Sequence, residues 1–242
     1  MSRWQSATFR ARQFDPRTIP GLVAWWDAQV ATSYDIQTGV QNWRDLSGNG
    51  HTVSQNTTNN QPTLSTINGR TALLFDGSND QLDAASVVLN VTSASAFSFF
   101  GVTQVANAES GFILGTASGA SLGVSVFCNA SAQYEFRYGN AGPVLSSTTR
   151  ADNVAQVWSA THNNRSATWS LNGTVASAVT TVSTFTSPTA NLAIGNRPGG
   201  ATSGTYLSGR IGSLLIYNRE LSLAERQRID RWLGQRWGVT VA

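Results

Sequence analysis

The sequence predicts an all-β protein, a sandwich of antiparallel sheets closed by a single helix. Three observations predict it. Short runs rich in β-branched and aromatic residues recur along most of the 242 residues, punctuated by Gly, Asn, Asp and Ser. A helical pattern of any length occurs only at the end, from Ser222 to Trp237. Two polar phrases, Trp43 to Gly50 (WRDLSGNG) and Asp76 to Asp80 (DGSND), supply tight turns, because Gly and Asn tolerate positive φ.

The elements follow in order. Residues 1–18 read as an arm, since Trp4, Phe9 and Phe14 recur every five residues and fit neither a helix face nor strand alternation. Residues 19–242 read as the sandwich. Leu22 to Ala28 is the first strand, Thr52 to Thr63 a polar loop, and Ala72 to Phe75 the next strand. Leu82 and Val87 to Leu89 follow, and Phe97 to Thr103 has the aromatic and β-branched density of a central strand. Shorter strands are expected at Gly111 to Gly115, Leu122 to Cys128, Tyr134 to Tyr138, Val154 to Thr161 and Ala167 to Leu171. Asn172-Gly173 marks a type I′ hairpin. Leu192 to Gly195 and Arg210 to Tyr217 complete the sheets. Ser222 and Glu225 form a capping box for the helix 222–237. Ile229, Trp232, Leu233 and Trp237 share its apolar face, Arg226 and Asp230 stand four apart, and Gly238 ends it.

Composition narrows the function. Charged residues make up 12% of the chain, about half the usual share of ~25%. All 16 basic residues are arginine, which suits interfaces and is equally the mark of a GC-rich genome. The net charge of +3 sits in residues 1–20, where Arg3, Arg10, Arg12 and Arg17 face Asp15 alone; the rest of the chain is neutral. No basic face for nucleic acid is expected. Nothing in the sequence is apolar for long enough to span a membrane, and the N-terminus lacks the apolar core of a secretory signal. Cys128 is the only cysteine and reads as a buried apolar side chain.

Catalytic groups are scarce. The histidines, His51 and His162, are far apart and read as surface or turn residues. Glycoside hydrolysis needs two carboxylates flanking one bond. The four glutamates are Glu109, Glu135, Glu220 and Glu225, and Glu135 has Gln133 and Arg137 at the alternating positions, so no strand presents two acids on one face. No enzyme activity is expected. Asp76 and Asp80 offer oxygens in an arrangement open to calcium, although the simpler reading is an Asx turn; no other cofactor is indicated. Ligand-binding candidates are Asp76, Asn79, Asp80, Asn196 and Arg197, on the loops 76–81 and 195–206; the loop 47–61 is a third candidate.

The segments Gly21 to Asp27, Trp43 to Gly50, Gly69 to Gly77, Leu192 to Asn196 and Gly209 to Ser222 resemble the laminin-G-like, concanavalin A-like lectin/glucanase superfamily over about residues 19–238. The resemblance implies a two-sheet antiparallel jelly-roll sandwich. It also implies no cofactor beyond an optional calcium, and carbohydrate or protein binding at loop rims. One such domain with a short arm resembles a tailed-phage virion protein, made in the host cytoplasm and displayed on the virion surface as a capsid decoration protein, head fibre or tail appendage. On that resemblance Arg3, Trp4, Phe9, Arg10, Arg12 and Phe14 anchor the arm to other virion proteins, the major capsid protein first among them. A host-surface glycan is the second partner, and monomer and homo-oligomer both stay open. The alternative is a bacterial carbohydrate-binding module or adhesin.

Overall fold

The computed structural model describes residues 14–242 apart from 87, 90, 93, 107–109, 119–120, 139–142, 147–148, 180–190 and 198–204. In chain order the elements are β1 (Leu22–Asp27), β2 (Tyr34–Ile36), β3 (Val40–Trp43), β4 (Val53–Ser54), β5 (Thr63–Ile67) and β6 (Arg70–Asp76). Then come β7 (Leu82–Ala84), β8 (Phe97–Val105), β9 (Gly111–Ser118), β10 (Ser121–Asn129), β11 (Gln133–Tyr138) and β12 (Pro143–Ser146). The last are β13 (Gln156–Asn163), β14 (Ser166–Leu171), β15 (Thr174–Val179), β16 (Leu192–Ile194), β17 (Ser208–Tyr217) and the helix α1 (Leu223–Trp237).

The strands form two antiparallel sheets. The helix-side sheet runs β15-β14-β13-β8-β17-β6-β5, and β17 is long enough to pair β6 with its first half and β1 with its second. The far sheet runs β12-β11-β10-β9-β16-β7-β4-β3-β2. Aromatic rings fill the space between them. Phe136 of the far sheet meets Phe97 and Phe99 edge-on, each at 5.9 Å, and Trp158 stacks on Trp169 at 5.6 Å. Burial on this scale is the main stabilising contribution.

The helix covers the other side of its sheet. Its serine cap accepts from the Glu225 N–H, Glu225 returns the bond, and Gly238 ends the helix at φ 65°. Ile229, Trp232, Leu233 and Trp237 are all buried. Arg236 fixes the far end to β1 through an ion pair of 2.6 Å with buried Asp27. The helix-side sheet is thus buried on both faces, which explains why β8 reads as an almost continuous apolar run.

Several expectations are corrected. The stretch 52–63 is not all loop: it holds β4, and β5 begins at Thr63. Trp43 belongs to β3 and is buried, so the polar turn begins after it. β2, β3 and β12 were not expected, and no strand is found at the described residues Val88 and Leu89. Strands of two to four residues carry too little pattern to read; neighbours on both sides create them. His162 is buried, stacked on Phe97 at 4.9 Å, with Nδ1 2.7 Å from the Ser95 carbonyl, so it is not a surface residue. Burial lowers its pKa. Arg226 and Asp230 form no ion pair, because Asp230 is buried against the sheet. The hairpin expectation holds: Asn172 and Gly173 both have positive φ, 49° and 81°.

Candidate functional site on the far sheet

Among the described residues no helix or strand lies over the outer face of the far sheet. One transverse row of Cα partners crosses it: Arg137, Ser125, Gly115, Ala193, Asp83, Ser54, Asn42 and Asp35. Directly paired residues of antiparallel strands point the same way. Ser125 lies between core residues Val124 and Val126, so the whole row points away from the core. Its middle, Ser125-Gly115-Ala193, has small side chains and forms a trough in the sheet face whose floor is buried, Ser125 1% and Ala193 0% exposed.

A wall stands one step along the strands. Phe112 and Phe127 are cross-strand partners in edge contact at 4.9 Å, and neither belongs to the main core. A β-bulge makes this arrangement. Phe112 pairs Phe127 and Leu114 pairs Val126, which leaves Ile113 as an extra residue. Ile113 and Leu114 both face the core, so Phe112 and Gly115 share the outer face although they are three residues apart.

Arginines rim the wall. The Arg137 guanidinium lies 3.8 Å from the Phe127 ring centre, and its Nε donates to Glu135 Oε2 at 2.6 Å. Asn129 donates to both Glu135 and Gln133, so Asn129, Gln133, Glu135 and Arg137 form one network. Arg197 sits over Phe112 with 6.0 Å between guanidinium carbon and ring centre. A Cβ on Gly115 would lie 3.3 Å from Ser125 Cβ, 3.6 Å from Arg197 Cβ and 3.6 Å from Phe112 Cδ1, so those three side chains frame the trough. The Ser125 hydroxyl is buried and has no hydrogen-bond partner. On the other side of the trough burial raises the Asp83 pKa against the Gln81 amide, which donates to it at 2.6 Å.

Of the described ligand-binding candidates, Arg197 reaches this face. Asn196 is buried. Asp76 Oδ1 accepts from the Ser78 and Asn79 N–H groups, and Asp80 Oδ2 accepts from the Asp76 N–H at 2.9 Å. The turn is therefore an Asx turn. Burial first, and the Asp76 charge second, push the Asp80 carboxyl up to about 6. Each of these two carboxylates commits one oxygen to the backbone of its own turn. Among the described residues no group of three metal-ligating side chains gathers. The turn 44–51 is likewise scaffold: Asp45 accepts from the Trp25, Ser47 and His51 N–H groups. Phe14 packs edge-on against Trp232 at 5.7 Å, under the Arg228 guanidinium. Arg3, Trp4, Phe9, Arg10, Arg12 and Glu109 lie outside the described residues, as do positions 198–204 of the loop 195–206.

Residues 76–225, well over half of the chain, match the family described as the concanavalin A-like lectin/glucanases superfamily. The chain belongs to that superfamily. Among solved structures, this lectin/glucanase-type domain is similar to Trypanosoma rangeli sialidase in complex with sialic acid, with TM-score 0.64 and 16% identity over 92% of this chain and 34% of that one. It is also similar to the binding domain of Paraclostridial Mosquitocidal Protein 1, with TM-score 0.65 and 12% identity over 93% and 56%. A third is domain 4 of AbnA, a GH43 extracellular arabinanase from Geobacillus stearothermophilus, in complex with arabinotriose, with TM-score 0.61 and 13% identity over 87% and 98%. At these identities the likeness is one of fold. The chain spans about a third of the sialidase's length. Comparison with curated proteins gives no match.

Proposed function

We propose that this chain is a non-enzymatic glycan-binding domain that holds its saccharide on the outer face of the far sheet, at the half-exposed arginines Arg137 and Arg197 that rim the trough. The observation that carries this reading is the rim: two arginines set over two aromatic rings in edge contact, Arg137 over Phe127 and Arg197 over Phe112. A sugar ring has the matching character, with apolar C–H faces and a rim of hydroxyls. The arabinotriose complex of the AbnA domain supports saccharide binding on this fold.

The acids support binding without turnover. Glu135 on β11 and Asp83 on β7 are separated by β10, β9 and β16. At ~4.8 Å per strand spacing they stand roughly 19 Å apart. A glycosidase pair needs about 5–10 Å.

Native affinity electrophoresis in gels carrying single polysaccharides tests the reading. Retardation by at least one polysaccharide is expected. It should be lost in Gly115→Val, which fills the trough, while no reducing ends are released. Retardation that survives Gly115→Val, or sugar release by the wild type, would overturn it.

We further propose that the domain is carried on a virus particle, as a surface protein attached through the arm of residues 1–18. The support is the charge distribution: +3 on residues 1–20 and zero on the remainder. The neutral polar surface of the rest suits display.

A further inference from the structure

The charges of α1 are divided by face. The helix has two acids, and neither offers a free charge on its outer side. Glu225 is taken up at the start of the helix, by the serine cap and by an ion pair of 2.6 Å with Arg219. Asp230 is turned under the helix and is 2% exposed. Of the four arginines of α1, Arg236 is paired with buried Asp27. Arg226, Arg228 and Arg231 form no ion pair among the described residues. Arg228 and Arg231 are exposed, and three apart on a helix they share one face, where like charges repel. The undescribed residues 1–13 lead into Phe14, which lies under the Arg228 guanidinium. They contain no acid to balance it, and they add Arg3, Arg10 and Arg12. Among all the undescribed residues the one acid is Glu109.

One flank of the domain therefore joins an exposed cationic helix face to the root of a cationic arm, although residues 21–242 carry no net charge. No exposed aromatic stands on this face to stack a base, since Trp232 and Trp237 are buried. The helix keeps its apolar stripe for the sheet and has none left to enter a membrane. A guanidinium fork matches a carboxylate in two parallel hydrogen bonds.

We infer that the outer face of α1 is a docking surface for an acidic protein surface, with Arg228 and Arg231 receiving aspartate or glutamate carboxylates of the partner. This rests on the reading of attachment through the arm and names the chemistry of what the domain attaches to. The arm holds the partner, and the helix face beside it steers and orients the contact.

Surface plasmon resonance of the full chain over immobilised poly-L-glutamate, duplex DNA and phosphatidylserine vesicles tests this. Wild type is expected to bind poly-L-glutamate best, and more weakly as salt rises from about 50 to about 300 mM. Arg228→Gln/Arg231→Gln should weaken that binding by about five-fold or more, the loss expected of two surface ion pairs. Arg44→Gln/Arg165→Gln removes the same charge elsewhere and should change it by less than about two-fold. Thermal melts matching wild type establish that both variants are folded. Equal losses in the two variants, or no loss in the helix variant, would overturn the docking face and leave the arm as the attachment. A preference for DNA or vesicles overturns the acidic protein partner, and no binding by wild type overturns the face itself. Co-sedimentation with shells is a separate measurement, so failure of the attachment reading registers there and not in these binding curves.

Discussion

Two strand glycines do opposite work. A Cβ at Gly101 of β8 would lie 2.3 Å from Trp158 Cζ2 and 2.9 Å from Leu214 Cδ2, inside the packed core. At Gly115 the nearest atom is a Cβ at 3.3 Å, and its neighbours frame the trough. Neither has a positive φ, so backbone strain does not separate them. Gly101→Ala is expected to cost about 3 kcal/mol by overpacking and to lower the melting temperature by roughly 6–10 °C. Gly115→Ala should shift it by about 2 °C or less. Differential scanning calorimetry of the pair checks this; equal losses would show that the trough is packed like the core. Little of the site is legible at this scale in the sequence. Strict alternation places Phe112 and Gly115 on opposite faces, and only the bulge at Ile113 unites them. Glu135, Gln133 and Arg137 do share a face as their spacing implies, yet no sequence signal marks the small residues beside them as a floor.

At the scale of elements, α1 was the most legible part of the chain. Its cap, its apolar face and its terminating glycine are all local signals, and each is found in place. What the sequence does not reveal is the position of Asp230, which spacing suggests should pair with Arg226 on the solvent side. It lies under the helix instead, and burial pushes its carboxyl up to about 7, against the opposing pull of Arg226, Ser159 and Arg231. An unfolded aspartate titrates near 3.9. Between roughly pH 4 and pH 7 the folded chain therefore holds a proton that the unfolded chain has lost, and stability falls as pH rises through that window. Asp230→Asn removes this penalty. Its melting temperature at pH 8 is expected to exceed wild type by about 5 °C, with little difference at pH 4. An Asn variant that melts lower at pH 8 would show that the carboxylate contributes a favourable contact. The short strands β2, β3, β4 and β12 escape sequence reading for the converse reason: their pairing comes from the sheet, not from their own residues.

For the whole molecule, the two-sheet architecture follows from the alternation of strands and turns, but the asymmetry between its faces does not. One sheet is buried twice, between the far sheet and α1; over the other no helix or strand lies among the described residues, although Ser125 and Ala193 at its centre are buried. On the tether proposal the arm lies outside the sandwich, so a chain lacking residues 1–13 should melt within about 2 °C of the full chain. It should also fail to co-sediment with the empty shells of its virus. Co-sedimentation of the shortened chain at wild-type stoichiometry would remove the arm from that role, and failure of the full chain to bind shells would favour a bacterial adhesin.

The ring of Phe14 rests on Trp232, on the flank that α1 occupies, while Ser125 and Arg197 belong to the opposite flank. The point where the leading segment joins the domain is thus at its back. Domains immobilised by that end, on a bead or a shell, would all turn the Ser125 and Arg197 flank into the medium. A carrier fused ahead of Phe14 would sit behind that flank and leave it unobstructed.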